Sequence, residues 1–109
     1  MIVRASMLAS FLLLAAPAVP AAFAEDVGDA GAGRSVAEAW CANCHAYPGA
    51  TRATVTGAPS FSAVAANKAI TPLSLRAFLQ TPHERMPDLH LTNNEMDDLI
   101  AFILSFRPK

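Results

Sequence analysis

Apolar residues fall into two patterns along this 109-residue chain, one continuous and one periodic. The first 24 residues are mostly apolar and carry a single charge, at Arg4. Further along, apolar side chains recur at three- and four-residue steps, which is the spacing of one face of a helix. No stretch alternates apolar and polar residues as a half-buried strand does. The pattern predicts an all-α domain of three to four helices behind an apolar leader.

The last helix has the clearest signals at its start. Residues 92–95 read Thr-Asn-Asn-Glu, which has the form of a capping box. Leu91 and Met96 then occupy the two positions of a hydrophobic staple, so Met96 is predicted to be a packing residue. One broad apolar face follows, made of Met96, Leu99, Ile100, Ile103 and Phe106.

Three earlier segments also favour helix. An Ala-rich stretch begins after Asp29, a plausible N-cap, and runs into the two cysteines. Residues 61–67 are consistent with one brief helical turn. Thr71 and Pro72 provide an N-cap and a first helical position, and that helix must end before Pro82.

The apolar leader has the parts of a secretory signal. Arg4 precedes a short apolar core, and Ala22-Phe23-Ala24 has the small-x-small form of a cleavage site. An uncleaved membrane anchor is the alternative, but two prolines interrupt the run and its core is short for a span. We therefore predict a cleavable signal peptide at 1–24, a mature domain at 25–109, and export to the periplasm.

The charge of the predicted mature domain limits the classes of partner that it could bind. Seven basic residues remain after the leader against nine acidic ones, a net charge of −2. There is no basic run or face, so nucleic acid is excluded as a partner. No second long apolar segment follows, so the mature domain is predicted not to span a membrane.

Both cysteines stand in one short motif, Cys41-x-x-Cys44-His45. A disulfide between them would close almost no chain and add little stability. A thioredoxin-like site would need a βαβ context, and a zinc site would need more ligands. The motif is the attachment pattern for c-type haem, in which two thiols add to the porphyrin vinyl groups and the histidine ligates the iron. One covalently bound haem c is therefore the predicted cofactor.

The second axial ligand is predicted to be Met86. This residue lies in an irregular segment, and Pro87 restricts its backbone and stiffens the loop around it. Methionine is a common partner of histidine in cytochromes c. Met96, His83 and His90 remain alternatives, although Met96 has a packing role and the histidines lie among charged residues.

Four segments give the chain its resemblance to the class I cytochromes c. They are "GDAGAGRSVAEAWCANCH", "TGAPSF", "RMP" and "DLIAFI". The resemblance covers essentially the whole predicted mature domain. It implies the cytochrome c fold, in which the N-terminal and C-terminal helices cross closely around one haem.

The resemblance also implies roles for several residues. Gly33 would be the contact between the crossing helices, with Leu99 and Phe102 packed against it. The carbonyl of Pro59 would accept the Nδ1–H of the proximal His45, and Phe61 would pack on the haem.

The chain departs from the family's pattern at three points. Ala58 is inserted in the turn before the proline, which puts the identity of the acceptor carbonyl in question. The family's ring of lysines is missing. The usual propionate-binding residues are also absent, and the possible substitutes are Trp40, Tyr47, Arg52 and Asn67.

The predicted function is electron transfer, without catalysis of a substrate reaction. The iron, ligated by His45 and Met86, would cycle between Fe(II) and Fe(III). The expected partners are other periplasmic or membrane-bound redox proteins. One alternative is a haem-bearing subunit of a larger dehydrogenase or oxidase complex. Another, less favoured because no distal acid–base group is visible, is a gas- or peroxide-binding haem protein with an open sixth site.

Overall fold

The computed structural model describes residues 28–51, 57–82 and 85–109, and within these ranges the chain is helical with no strand. The four helices are α1 (Ala30–Trp40), α2 (Phe61–Ala66), α3 (Pro72–Leu79) and α4 (Asn93–Leu104). The all-α prediction is confirmed. The predicted leader lies outside the described residues, as do Arg52 and His83.

Each helix begins where a side chain can accept a backbone N–H. The Asp29 carboxylate accepts from Ala32 at 2.8 Å at the start of α1. Capping boxes begin α3, at Thr71, and α4, at Thr92. These caps satisfy N–H groups that have no partner within the helix. The predicted N-caps of all three helices are confirmed.

The crossing of α1 over α4 organises the fold. A methyl group at Gly33 would collide with the backbone carbonyl of Asp98 and lie 2.8 Å from Cβ of Phe102. The backbones can therefore approach this closely only because residue 33 has no side chain. The Asp98 carboxylate also accepts the N–H of Asp29 at 2.7 Å. The predicted close crossing of the first and last helices is confirmed.

The apolar face of α4 forms the centre of the core. Leu99 is fully buried, and Met96 is only 3% exposed, as its predicted packing role requires. Leu91 is partly buried and packs against the same core. An ion pair between Arg76 and Asp97 links α3 to α4. Helices α2 and α3 also pack on α4, which leaves a cavity where they diverge from the end of α1.

No helix in the described parts of the chain combines the length and apolarity that crossing a membrane would require.

Candidate functional site

A cavity of about 600 Å³ lies beside α4, bounded by the end of α1, by α2 and α3, and by the segment before α4. Its volume is within the range of about 300–1,000 Å³ that small-molecule sites occupy. Its lining includes the residues predicted to attach the haem, to ligate its iron and to accept a hydrogen bond from His45: Cys41, Cys44, His45, Met86 and Pro59.

The two cysteines and the histidine occupy a single turn that continues from α1. The N–H of Cys41 donates to Ala37 at 2.8 Å, and its carbonyl accepts from Cys44 at 3.0 Å and from His45 at 2.9 Å. Cys41 is buried and Cys44 is half-buried. The helix end thus brings both thiols and the imidazole to one wall of the cavity.

The environment of Cys41 does not favour thiol–disulfide chemistry. Burial, with a smaller contribution from the neighbouring Cys44, raises the pKa of the Cys41 thiol from 9.0 to about 11. Redox-active and nucleophilic cysteines instead have lowered pKa values, because the thiolate is the reactive form. The buried Cys41 thiol is therefore protonated near neutral pH and is not an activated nucleophile.

His45 is held by a main-chain acceptor. Its Nδ1 lies 2.7 Å from the carbonyl oxygen of Pro59, so an Nδ1–H would donate to that oxygen. The inserted Ala58 lines the cavity but does not displace the Pro59 carbonyl from His45. A hydrogen bond at Nδ1 fixes the tautomer of an imidazole and leaves Nε2 available to a metal.

Met86 lies in the segment between α3 and α4 and is partly buried at the cavity. Its neighbour Arg85 has a left-handed backbone, with φ of 69°. Non-glycine residues seldom adopt this conformation, so the chain turns sharply just before Met86.

The alternative candidates for the second iron ligand that lie within the described residues do not line the cavity. Met96 belongs to the core of α4 and does not line the cavity. The side chain of His90 is 91% exposed and its Nε2 lies 3.9 Å from the carboxylate of Asp88. His83 is outside the described residues. Among the four candidates, Met86 is the described residue that reaches the cavity.

The suggested propionate-binding residues do not form one group. Trp40 lines the cavity. Tyr47 is instead buried among aromatic rings, and Asn67 is an exposed residue that caps the end of α2. Sequence reasoning assigned no role at the site to Leu75 or Phe78, which line the cavity from α3. Their three-residue spacing, which places them on one face of the helix, could have indicated it.

The walls of the cavity are mainly apolar. Arg85 is the one permanently charged side chain among the described residues that line it, and no Asp or Glu is present in that set. Two thiols, an imidazole and a thioether are the donors that converge on these walls. This combination fits a flat apolar macrocycle with a central iron, attached by thioether bonds and ligated by nitrogen and sulfur.

A protein family described as "Cytochrome C oxidase, cbb3-type, subunit III" matches residues 28–103, which include α1, α2, α3 and all of α4 except its last residue. The chain belongs to this family of c-type cytochromes. Its cofactor is accordingly a covalently bound haem c, and it is an electron-transfer haem protein.

A curated relative supports the same assignment. Cytochrome c-552 of Bradyrhizobium diazoefficiens is 38% identical to this cytochrome over 80 residues, covering 73% of this chain and 77% of the relative. No solved structure gives a significant match. The resemblance to small monohaem cytochromes c inferred from the four sequence segments is confirmed.

Proposed function

We propose that this cytochrome carries single electrons between exported redox proteins, with haem c attached through Cys41 and Cys44 and ligated by His45 and Met86. The observation that carries the proposal is the convergence of these four side chains on one apolar cavity. Cys41, Cys44 and His45 come from one turn, and Met86 reaches the same cavity from 41 residues beyond His45.

The chain's own residues adjust the environment of the cofactor. When bound, the haem supplies a one-electron Fe(III)/Fe(II) couple. The Met86 thioether favours Fe(II), and apolar walls that exclude water disfavour the additional charge of Fe(III). The Pro59 carbonyl acts in the opposite direction, because its hydrogen bond makes the His45 imidazole a stronger donor to the metal.

The residues that line the cavity favour electron transfer over catalysis. Peroxide chemistry needs an acid–base group beside the reacting oxygen atoms. No carboxylate lines the described part of the cavity, and His45 is the single histidine there. With His45 and Met86 as axial ligands, the iron would have no open position for a substrate.

Export is the second component of the proposal. Residues 1–24 would direct the chain to the periplasm and be removed, leaving the domain 25–109. The pattern of Arg4, an apolar core and Ala22-Phe23-Ala24 supports this. N-terminal sequencing of the exported protein should find Glu25 as its first residue. If the leader is retained instead, the protein would be a membrane-anchored carrier and not a free one.

A permanent oxidase subunit is the second candidate function, because the matching family bears the description of such a subunit. The haem chemistry would be the same, but the partner would not dissociate. Size-exclusion chromatography of a mild detergent extract distinguishes the two, since a free carrier elutes as a small protein and a subunit co-elutes with its complex.

Mass spectrometry and optical spectroscopy test the central proposal. Under denaturing conditions the exported protein should have the mass of the polypeptide plus one haem, and the haem should resist extraction by acidified acetone. The oxidised and reduced spectra should be those of six-coordinate, low-spin iron. Haem that is extracted, or an iron that binds CO readily in the unmodified protein, would contradict the proposal.

A further inference from the structure

Tyr47 is the central ring of an aromatic cluster that adjoins the haem site. It follows His45 by two residues and is only 6% exposed. Its ring stacks on Phe61, with centroids 5.2 Å apart and planes inclined by 13°. The edge of Phe102 meets it at 5.3 Å, and Phe106 lies at 6.5 Å.

Phe61 connects this cluster to the proximal histidine in two ways. Its ring centroid lies 5.3 Å from that of His45. Its backbone N–H donates to the carbonyl of Ala46 at 2.9 Å, which joins the two ends of the 46–60 loop. Phe61 is also only two residues beyond Pro59, whose carbonyl lies 2.7 Å from Nδ1 of His45. A displacement of Phe61 would therefore move the Pro59 carbonyl relative to the imidazole.

The described residues at the two ends of the 46–60 segment are held by different contacts. Gly49 and Gly57 both have positive φ, a conformation suited to turns. Arg34 donates to the carbonyl of Gly49 at 3.2 Å, which attaches the first part of the loop to α1. The opposite end, at Pro59, depends on the Ala46–Phe61 hydrogen bond and on the packing of the Phe61 ring.

We propose that the Tyr47 ring is a positioning element for the proximal ligand: by holding Phe61, it keeps the Pro59 carbonyl at Nδ1 of His45 and so lowers the reduction potential. This inference rests on the proposed role of His45 as an iron ligand. A strong hydrogen bond at Nδ1 increases the basicity of the ligand and favours Fe(III). Loosening the Tyr47–Phe61 pair should weaken that bond and raise the potential.

The ring, and not the hydroxyl, carries this function. The Tyr47 hydroxyl is buried beside the Glu38 carboxylate, and burial, with a smaller contribution from Glu38, raises the pKa of the phenol. Glu38 does not line the cavity, and loss of its interaction with the hydroxyl would leave the stacked rings of Tyr47 and Phe61 in place. Tyr47→Phe should therefore retain the unmodified potential and Nδ1–H exchange rate, whereas Tyr47→Leu should not.

The experiment uses the purified haem-loaded protein and the variants Tyr47→Leu, Tyr47→Phe and Ile100→Ala. Ile100 is buried in α4 but does not line the cavity, so its truncation is a control for general loss of core packing. Three quantities are measured: the reduction potential by spectroelectrochemistry, the exchange rate of the His45 Nδ1–H by NMR, and the midpoint of chemical denaturation.

Tyr47→Leu should raise the reduction potential. It should also accelerate Nδ1–H exchange by about three- to tenfold, and this change in rate corresponds to about 0.6–1.4 kcal/mol, close to the interaction energy of one aromatic pair. Tyr47→Phe should leave both unchanged. Ile100→Ala should lower the denaturation midpoint without altering either quantity. If Tyr47→Leu does not assemble, Phe61→Leu tests the next contact in the same series.

Two results would overturn the inference. One is a Tyr47→Leu protein whose stability falls while its potential and exchange rate match the unmodified protein. The other is a Tyr47→Phe protein that shifts as far as Tyr47→Leu, since this would assign the effect to the hydroxyl. Failure of the proposed function would be visible separately, because the unmodified protein would then lack covalent haem or a His45 signal shifted by the iron.

Discussion

Met86 and Met96 are ten residues apart and have different environments. Met86 precedes a proline, is partly buried and lines the cavity. Met96 is almost fully buried at the fourth position of α4, in the core. Side-chain chemistry is the same in both, so the difference in role follows from the backbone on which each one stands.

Substitutions of Met86 should change the coordination or the reduction potential of the iron. Met86→His should lower the reduction potential and preserve six-coordination, because imidazole favours Fe(III) more than a thioether does. Met86→Ala should create a vacant or water-filled position that binds CO readily. Redox titration and CO-difference spectra of both variants provide the measurement.

Met96→Ala should lower the stability of the protein without creating an open coordination position on the iron. Removing a buried methionine side chain costs about 2–5 kcal/mol, since transfer energy is lost and a cavity remains. Chemical denaturation of the haem-loaded protein measures this. If Met96→Ala opened the iron to CO and Met86→Ala did not, the assignments of the two methionines would be reversed.

At the scale of elements, the α1–α4 crossing depends on one glycine. Gly33→Ala should destabilise the protein by about 1–3 kcal/mol, because an inserted methyl group meets backbone that cannot move aside easily. Gly31→Ala is the matched control in the same helix, where a methyl group would meet only the Asp29 carboxylate oxygen at 3.0 Å. Denaturant midpoints should fall for Gly33→Ala and change little for Gly31→Ala.

The capping box of α4 predicts a pH dependence. Hydrogen bonds from the N–H and hydroxyl of Thr92, both at 2.8 Å, hold the pKa of Glu95 below 4.5. A carboxylate with a lowered pKa stabilises the fold above its unfolded-state pKa, and this contribution is lost as pH falls through the folded-state value. Denaturation curves from pH 7 down to 3 should show this loss.

Glu95→Gln is the variant that isolates the effect. An amide oxygen can still accept from Thr92, but the side chain no longer titrates. The difference in stability between the unmodified protein and Glu95→Gln should therefore be greatest near neutral pH and shrink in acid. A difference that stays constant from pH 7 to 3 would show that ionisation of Glu95 makes no contribution.

At the scale of the whole molecule, the cofactor is expected to be part of the core. The described chain surrounds a cavity of about 600 Å³, which is large for so small a domain. Because the haem is attached covalently, it is present in both states, and burial of its apolar surface on folding stabilises the folded state. Cys41→Ser and Cys44→Ser should each reduce the yield of haem-loaded protein and lower its unfolding temperature, as measured by haem staining of denaturing gels and by circular dichroism.

Much of this organisation could be predicted from local sequence. The helices were predictable because caps at Asp29, Thr71 and Thr92 act on N–H groups within the next turn. The attachment motif was recognisable because its three residues span a single turn. Met96 was predictable as a core residue since its place in a staple is a short-range relation.

Tertiary structure decided the relations between distant segments. Tyr47 was a candidate for binding a propionate, but folding places it between Phe61 and Phe102, which belong to separate helices. The acceptor for His45 was ambiguous beside the inserted Ala58, and the fold places the Pro59 carbonyl at Nδ1 of His45.

Sequence alone thus determined which helices form and which side chains could hold a haem. Caps, staples and attachment motifs act over three to five residues, where chain geometry permits few arrangements. The cavity and the proximal hydrogen bond depend on the crossing of α1 and α4 at Gly33 and on the positions of α2, α3 and Pro59 beside that crossing. Contacts of that range depend on the packing of the whole domain, which no local pattern specifies.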